Sequence, residues 1–262
     1  MTDKASKSKT HADFGWLAPW RFIPGRAGTE ADLFAQGQTK TEGNMALEMA
    51  KQGTIERHFL PVASGILEIE MRLRFEQEPS VDNLDTSSKY AKVPYIPAET
   101  GYQLFIDPSK ISAIKAYVAD ENNQWAYRWH SPFAWWEVGG NYEMPRFYVC
   151  EGKGAKKKGM EYTDFRARAN HWYKIVTVMD FATKTWQFWI DGVKFDYPDR
   201  YGREMAWWHS PSTLSKINLT NGADGKSWID SVKIRHNGNL VAASFFDRAG
   251  GYEEGKTIIG ID

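Results

Sequence analysis

The run GILEIEMRLRFE at residues 65–76 limits the fold more than any other stretch of the chain. Leu67, Ile69, Met71, Leu73 and Phe75 alternate strictly with Glu68, Glu70, Arg72, Arg74 and Glu76. Successive strand side chains point to opposite faces, so a period of two over this length predicts a long strand with one buried and one solvated or ligand-facing side. A helix would scatter the apolar positions around its circumference. Glu68 and Glu70 then share a face at roughly 7 Å, among Arg72 and Arg74, which reads as a cross-strand charge ladder rather than a catalytic carboxylate pair.

Shorter runs with strand character follow at 44–50, 54–60, 101–106, 111–119, 124–129, 145–150, 171–179, 185–195, 214–220, 227–236 and 239–247. Turn-forming stretches such as DPSK, DENNQ and NGADG separate them. Many strands without intervening amphipathic helices predict an all-β fold, an antiparallel two-sheet β-sandwich of the jelly-roll kind with at most one or two short helices. The one helix expected is short and near 30–37. Asp191-Gly192, between β-rich flanks, predicts a hairpin, because both central positions of that turn favour positive φ. Residues 1–13 read as a disordered tail, and with no linker after them residues 14–262 read as a single domain.

Thirty-three basic residues balance 33 acidic ones, so charge points to neither nucleic acid nor an anionic membrane. No apolar run is long enough to span a bilayer. The polar opening MTDKASKSKTHADF lacks the apolar middle of a signal peptide, so the chain is expected to be secreted or periplasmic if an export signal has been removed, and cytoplasmic otherwise. The single cysteine, Cys150, excludes an intramolecular disulfide and multi-thiolate zinc sites, and its setting in RFYVCEG reads as a buried structural thiol. Phosphate-binding glycine loops, zinc-protease helices and nucleophile-elbow serines are absent from the sequence.

Twelve tryptophans are more than a core of this size needs. They concentrate in WHSPFAWW at 129–136 and AWWHSPS at 206–212. A saccharide presents apolar C–H faces edged with hydroxyls, so its site needs flat rings beside polar tips. Trp129, Trp135, Trp136, Trp207 and Trp208 are the candidate platforms. Strand alternation, however, sends one ring of each adjacent pair into the core.

The segment NHWYKIVTVMDFATKTWQFWIDGVKF at 170–195 resembles a signature of the concanavalin A-like lectin/glucanase superfamily, including its laminin-G-like members. SKINLTNGADGKSWIDSVKIR at 215–235 is similar to its closing element, with W-I-D on a late strand. The resemblance implies a jelly roll whose default ligand is a glycan, and it leaves the reaction open, since lectins, binding modules, hydrolases and lyases share the fold.

The hydrolase branch carries E-x-D-x-x-E on one strand, whereas the nearest match here, Glu68 to Leu73, lacks the central Asp and the second Glu. The lyase branch implies a neutraliser for the uronate carboxylate and a Tyr or His that moves the C5 proton. Arg128, His130, Asn141, Tyr142, Arg146, Tyr148 and His209 supply those residue types, without the R-x-E-x-R, Q-I-H or Y-x-K-x-G-x-Y patterns of alginate lyases. Asp230 stands where many jelly-roll modules place a structural Ca²⁺ ligand, and no other cofactor is implied. The basic run GKGAKKKG at 152–159 reads as a solvated loop, or as the rim of a site for an acidic polysaccharide.

The sequence therefore leads to a poly- or oligosaccharide-binding sandwich with an aromatic-lined cleft. A polysaccharide lyase acting on a uronate glycan by β-elimination is the alternative, and a protein-interaction or structural domain the third reading. Oligomeric state, sugar and linkage are left open.

Overall fold

The computed structural model describes residues 13–18, 20–24, 35–38, 45–49, 53–75, 114–130, 146–152, 159–166, 171–221 and 226–246. Nine strands precede the residue-170 region: β1 (Arg21–Pro24), β2 (Ala35–Gln38), β3 (Met45–Met49), β4 (Gly53–Val62), β5 (Ile66–Phe75), β6 (Ile114–Ala119), β7 (Trp125–His130), β8 (Arg146–Glu151) and β9 (Gly159–Arg166). After them come β10 (Trp172–Asp180), β11 (Thr185–Ile190), β12 (Val193–Lys194), the helix α1 (Tyr197–Tyr201), β13 (Met205–Ala206), β14 (Leu214–Asn221), β15 (Ser227–His236) and β16 (Asn239–Ser244).

The strands form two antiparallel sheets around a shared core. One runs β1-β4-β14-β6-β7-β8-β9; the other runs β12-β11-β10-β5-β15-β3-β2, with β13 on β11 and β16 on β15. The alternating strand β5 is central in the second sheet, between β10 and β15. Its Leu67, Ile69, Met71 and Leu73 are buried, each contributing about 1.5–3 kcal/mol of hydrophobic stabilisation. They pack with Ile175, Trp186, Phe188 and Val232 of the same sheet and with Ile55, Val118, Trp129, Phe147, Ile217 and Leu219 of the other. A buried hydrogen bond crosses the core: Thr177 Oγ1 donates to the Tyr127 hydroxyl at 2.8 Å. This two-sheet sandwich is the architecture that the sequence resemblance implies.

On the outer face of the second sheet, Glu70 accepts from Lys233 (3.1 Å) and lies 3.2 Å from Lys174 and 3.3 Å from Arg235, which also reaches Glu68 at 2.8 Å. The carboxylates of β5 thus form the expected charge ladder. Asp191 (φ 50°) and Gly192 (φ 83°) make the expected hairpin between β11 and β12. Asn237 (φ 50°) and Gly238 (φ 80°) repeat that geometry between β15 and β16.

Three boundaries differ from expectation. Residues 35–38 are a strand paired with β3 rather than part of a helix, because that edge of the sheet supplies a ladder partner. The helix that does form, α1, starts with Pro198 in its first turn and ends at Gly202 with φ 69°, the usual asymmetry of helix ends. Asp13 belongs to the fold: its carboxylate accepts from Arg57, from Ser244 Oγ (3.0 Å) and from the Phe245 N–H (3.1 Å). The run at 101–106 lies outside the described residues. No helix among the described residues is long and apolar enough to cross a membrane.

Candidate functional site

The first sheet buries one face and leaves the other carrying a concentrated set of polar groups. Ile55, Ile217, Leu219, Val118, Tyr127, Trp129, Phe147 and Val149 enter the core, so the alternate residues share the outer face. Strand register orders them in rows. Glu56, Asn218, Tyr117, Arg128 and Cys150 lie side by side across β4, β14, β6, β7 and β8. The adjacent row is Thr54, Thr220, Lys115 and, across the His130 backbone, Tyr148, and on the opposite flank are His58, Lys216, Ala119 and Trp125. Neighbours along a row are roughly 5 Å apart, the spacing of hydrogen-bonded strands.

Burial and neighbouring charge displace four titratable groups on this face. Burial pushes the Cys150 thiol up, although the Arg128 Nε–H donates to its sulfur at 3.5 Å and Lys115 also favours the thiolate. Burial holds the Lys115 ammonium below its ordinary value, and the Arg128 charge lowers it further. Burial raises the Tyr117 hydroxyl, with Glu56 adding to the effect and Arg128 opposing it. Burial and Lys216 lower the His58 imidazole. Glu56 lies 3.5 Å from Arg21 and 3.8 Å from Lys216, which also donates to Asn123 Oδ1. In the middle of the first row the Asn218 side chain, 1% exposed, has no partner for its Nδ2 group among the described residues.

An aromatic column borders these rows. Strand β8 pairs with β7 from Arg128 onward, and past that point the backbone of Trp208 and His209 takes its place. The Trp208 N–H donates to Ala126 O at 2.6 Å and the His209 N–H to Trp125 O at 3.2 Å. Gly152 permits this approach: a Cβ there would stand 1.9 Å from the Trp207 carbonyl oxygen. The rings of Trp125 and Trp208 stack at 4.8 Å and 22°, His209 meets Trp125 edge-on at 5.4 Å, and the Arg128 guanidinium lies 4.7 Å from the Trp125 ring. Arg128 thereby joins the column to the polar rows.

The structure separates the residues singled out from sequence. Arg128, Trp208 and His209 come together on this face. Trp129 and Trp207 do not: at 0% and 3% exposure they are core residues without a free ring face. Trp129 packs on Phe147 and Phe188, and Trp207 sits on Phe181 and donates its Nε1–H to Thr185 O. Tyr148 is on the outer face but only 2% exposed. His130 and Arg146 have strand backbones in β7 and β8, where register sets His130 opposite Tyr148. Trp135, Trp136, Asn141 and Tyr142 lie outside the described residues, as does most of the basic run at 152–159. Cys150 is buried, as expected.

Asp230, the candidate calcium ligand, lies on β15 where its register with β5 shifts. Its carboxylate is 3.5 Å from Arg72, and among the described residues no three His, Cys, Asp or Glu side chains are grouped to hold a metal. Calcium takes about six to eight oxygen ligands.

Sequence reasoning missed Trp125, Lys115, Tyr117, His58, Lys216 and Asn218. The signal for Trp125 was present in the strand-like run at 124–129. The others are scattered over three further strands, and only register brings them together.

No family model and no curated protein matches the chain. Solved structures similar to it include a sialidase (TM-score 0.49, 11% identity), with 83% of this chain aligned to 17% of that protein, so the chain spans under a fifth of its length. Lectin II from Ulex europaeus is similar at TM-score 0.44 and 9% identity, covering 86% of this chain and 97% of the lectin. Alginate lyase A1-II' is similar at TM-score 0.41 and 8% identity, covering 76% of this chain and 82% of the lyase.

Proposed function

We propose that the outer face of the seven-stranded sheet binds a carbohydrate, with Trp125 and Trp208 beside the C–H face of a sugar ring and the polar rows beside its hydroxyls. The observation that carries this reading is the position of Arg128, which contacts the Trp125 ring and the Cys150 sulfur at once. Flat apolar surface and hydrogen-bonding groups are therefore contiguous, as saccharide recognition requires.

Elimination chemistry would need a proton acceptor with access to the sugar as well as a cation. Tyr148 lies in the row beside Arg128 but is closed to solvent, which favours binding over elimination. The test is a titration with neutral and acidic oligosaccharides followed by tryptophan fluorescence, on the wild-type chain and on Trp125→Ala. A saturable change that weakens in the variant supports the proposal. A change that is identical in the variant would move the site elsewhere. Release of an unsaturated uronate product during the titration would make the protein a lyase.

A further inference from the structure

Lys115 and Arg128 are like charges held as diagonal neighbours on one partly dehydrated face. Register pairs Lys115 with His130 and Tyr117 with Arg128, which sets Lys115 and Arg128 roughly 7–8 Å apart on adjacent strands. Two cations so placed ordinarily share a carboxylate. Here, among the described residues, neither has one. The Arg128 contacts are the Cys150 sulfur and the Trp125 ring, and Glu56, the acid among the side chains described in these rows, is engaged by Arg21 and Lys216.

The remaining groups do not neutralise the pair. Burial keeps Cys150 a neutral thiol and Tyr117 a neutral phenol. The unmet demand on this face is thus a positive pair, and a partner that meets it is anionic.

Building on the carbohydrate reading, we infer that the ligand is an acidic glycan whose carboxylate or sulfate is held between the Lys115 ammonium and the Arg128 guanidinium. A carboxylate presents two coplanar oxygens and a sulfate three, and both suit a planar guanidinium beside a point charge. The unliganded protein carries the repulsion of Lys115 and Arg128, and the ligand relieves it.

The experiment is calorimetric titration of the full chain with a neutral glucan, a polyuronate and a sulfated galactan oligosaccharide of equal length, at low and high sodium chloride. At low salt one acidic oligosaccharide is expected to bind about tenfold or more tighter than the neutral one, the ratio of a single charge-assisted contact. Salt is expected to narrow that ratio. Lys115→Met should bring it to about one and raise the thermal midpoint of the free protein, whereas Lys115→Arg should keep it, and Lys174→Met on the opposite sheet should leave it unaltered. The midpoint also shows that the Lys115→Met variant is folded. Whether the uronate or the sulfate binds tighter identifies the acidic group. Equal binding of neutral and acidic sugars, or a preference that survives Lys115→Met, overturns the inference and leaves the carbohydrate reading standing. Failure of all three sugars to bind overturns both.

Discussion

Trp208 stacks on Trp125 with ring centroids 4.8 Å apart, so the tryptophan-rich stretch at 206–212 meets strand β7 through a ring outside both tryptophan-rich stretches. Trp129 and Trp207, which look equivalent in sequence, fill the core instead. Substituting the two classes should therefore have opposite signatures. Trp125→Ala is expected to leave a folded protein whose saccharide affinity falls about five- to tenfold, the range of one aromatic contact. Trp129→Ala is expected to cost about 3–5 kcal/mol of folding stability through the cavity it leaves. Denaturant unfolding and fluorescence titration of both variants separate the two effects.

Gly152 is the position at which the stretch at 206–212 is set against the end of strand β8. A Cβ placed 1.9 Å from the Trp207 oxygen meets backbone, which cannot rotate away. Gly152→Ala is expected to destabilise the fold by about 1–3 kcal/mol and to shift Trp208 relative to Trp125. The check is denaturant unfolding together with the near-ultraviolet circular dichroism of the stacked indoles.

The Thr177–Tyr127 hydrogen bond links the two sheets at the centre of the sandwich. Tyr127→Phe removes the hydroxyl and retains the ring that packs on Trp186 at 4.8 Å. A loss of about 1 kcal/mol is expected, with saccharide binding unchanged, since Tyr127 faces the core. Chemical denaturation measures it.

Acid should destabilise the protein in two separate windows. Burial and Lys216 hold the His58 pKa below its ordinary 6.5, so the unfolded chain takes up that proton first and stability declines as pH falls from 6.5 through the folded-state value. At Glu70 burial alone would raise the pKa, but Lys233 and Lys174 outweigh it and hold it below 4.5. The stability contributed by Glu70 is present above 4.5 and is lost as pH falls through its folded-state value. Thermal midpoints measured against pH should lose the first decline in His58→Asn and the second in Glu70→Gln.

Strands with regular alternation were legible from sequence because the pattern is local: β5, β10 and β11 all show it, and Asp191-Gly192 marks its own hairpin. Strand β9 was not legible. Its interior position is held by Thr163, which is buried and donates to Phe147 O at 2.6 Å, so apolarity does not mark the inward face. Helix α1 is too short for a periodic signal and is marked only by Pro198 and Gly202.

The candidate site was half legible, and the reason lies in one β-bulge. Strict alternation puts Trp125 and Trp129 on one face and Arg128 on the other. The register shift between β6 and β7 inserts Ala126 beside Tyr127, both buried, and turns Trp125 to the side of Arg128. Lys115, Asn218 and His58 have no local signal at all, because a row across a sheet is a property of pairing between distant strands.

The most direct test of the account follows the indole N–H resonances of the twelve tryptophans during titration with a saccharide. Trp125 and Trp208 are expected to shift progressively and saturate together, while Trp172, Trp189 and Trp228 on the outer face of the other sheet stay in place. Saturating shifts at Trp172, Trp189 or Trp228, with Trp125 and Trp208 unmoved, would contradict the assignment of the seven-stranded face as the binding surface.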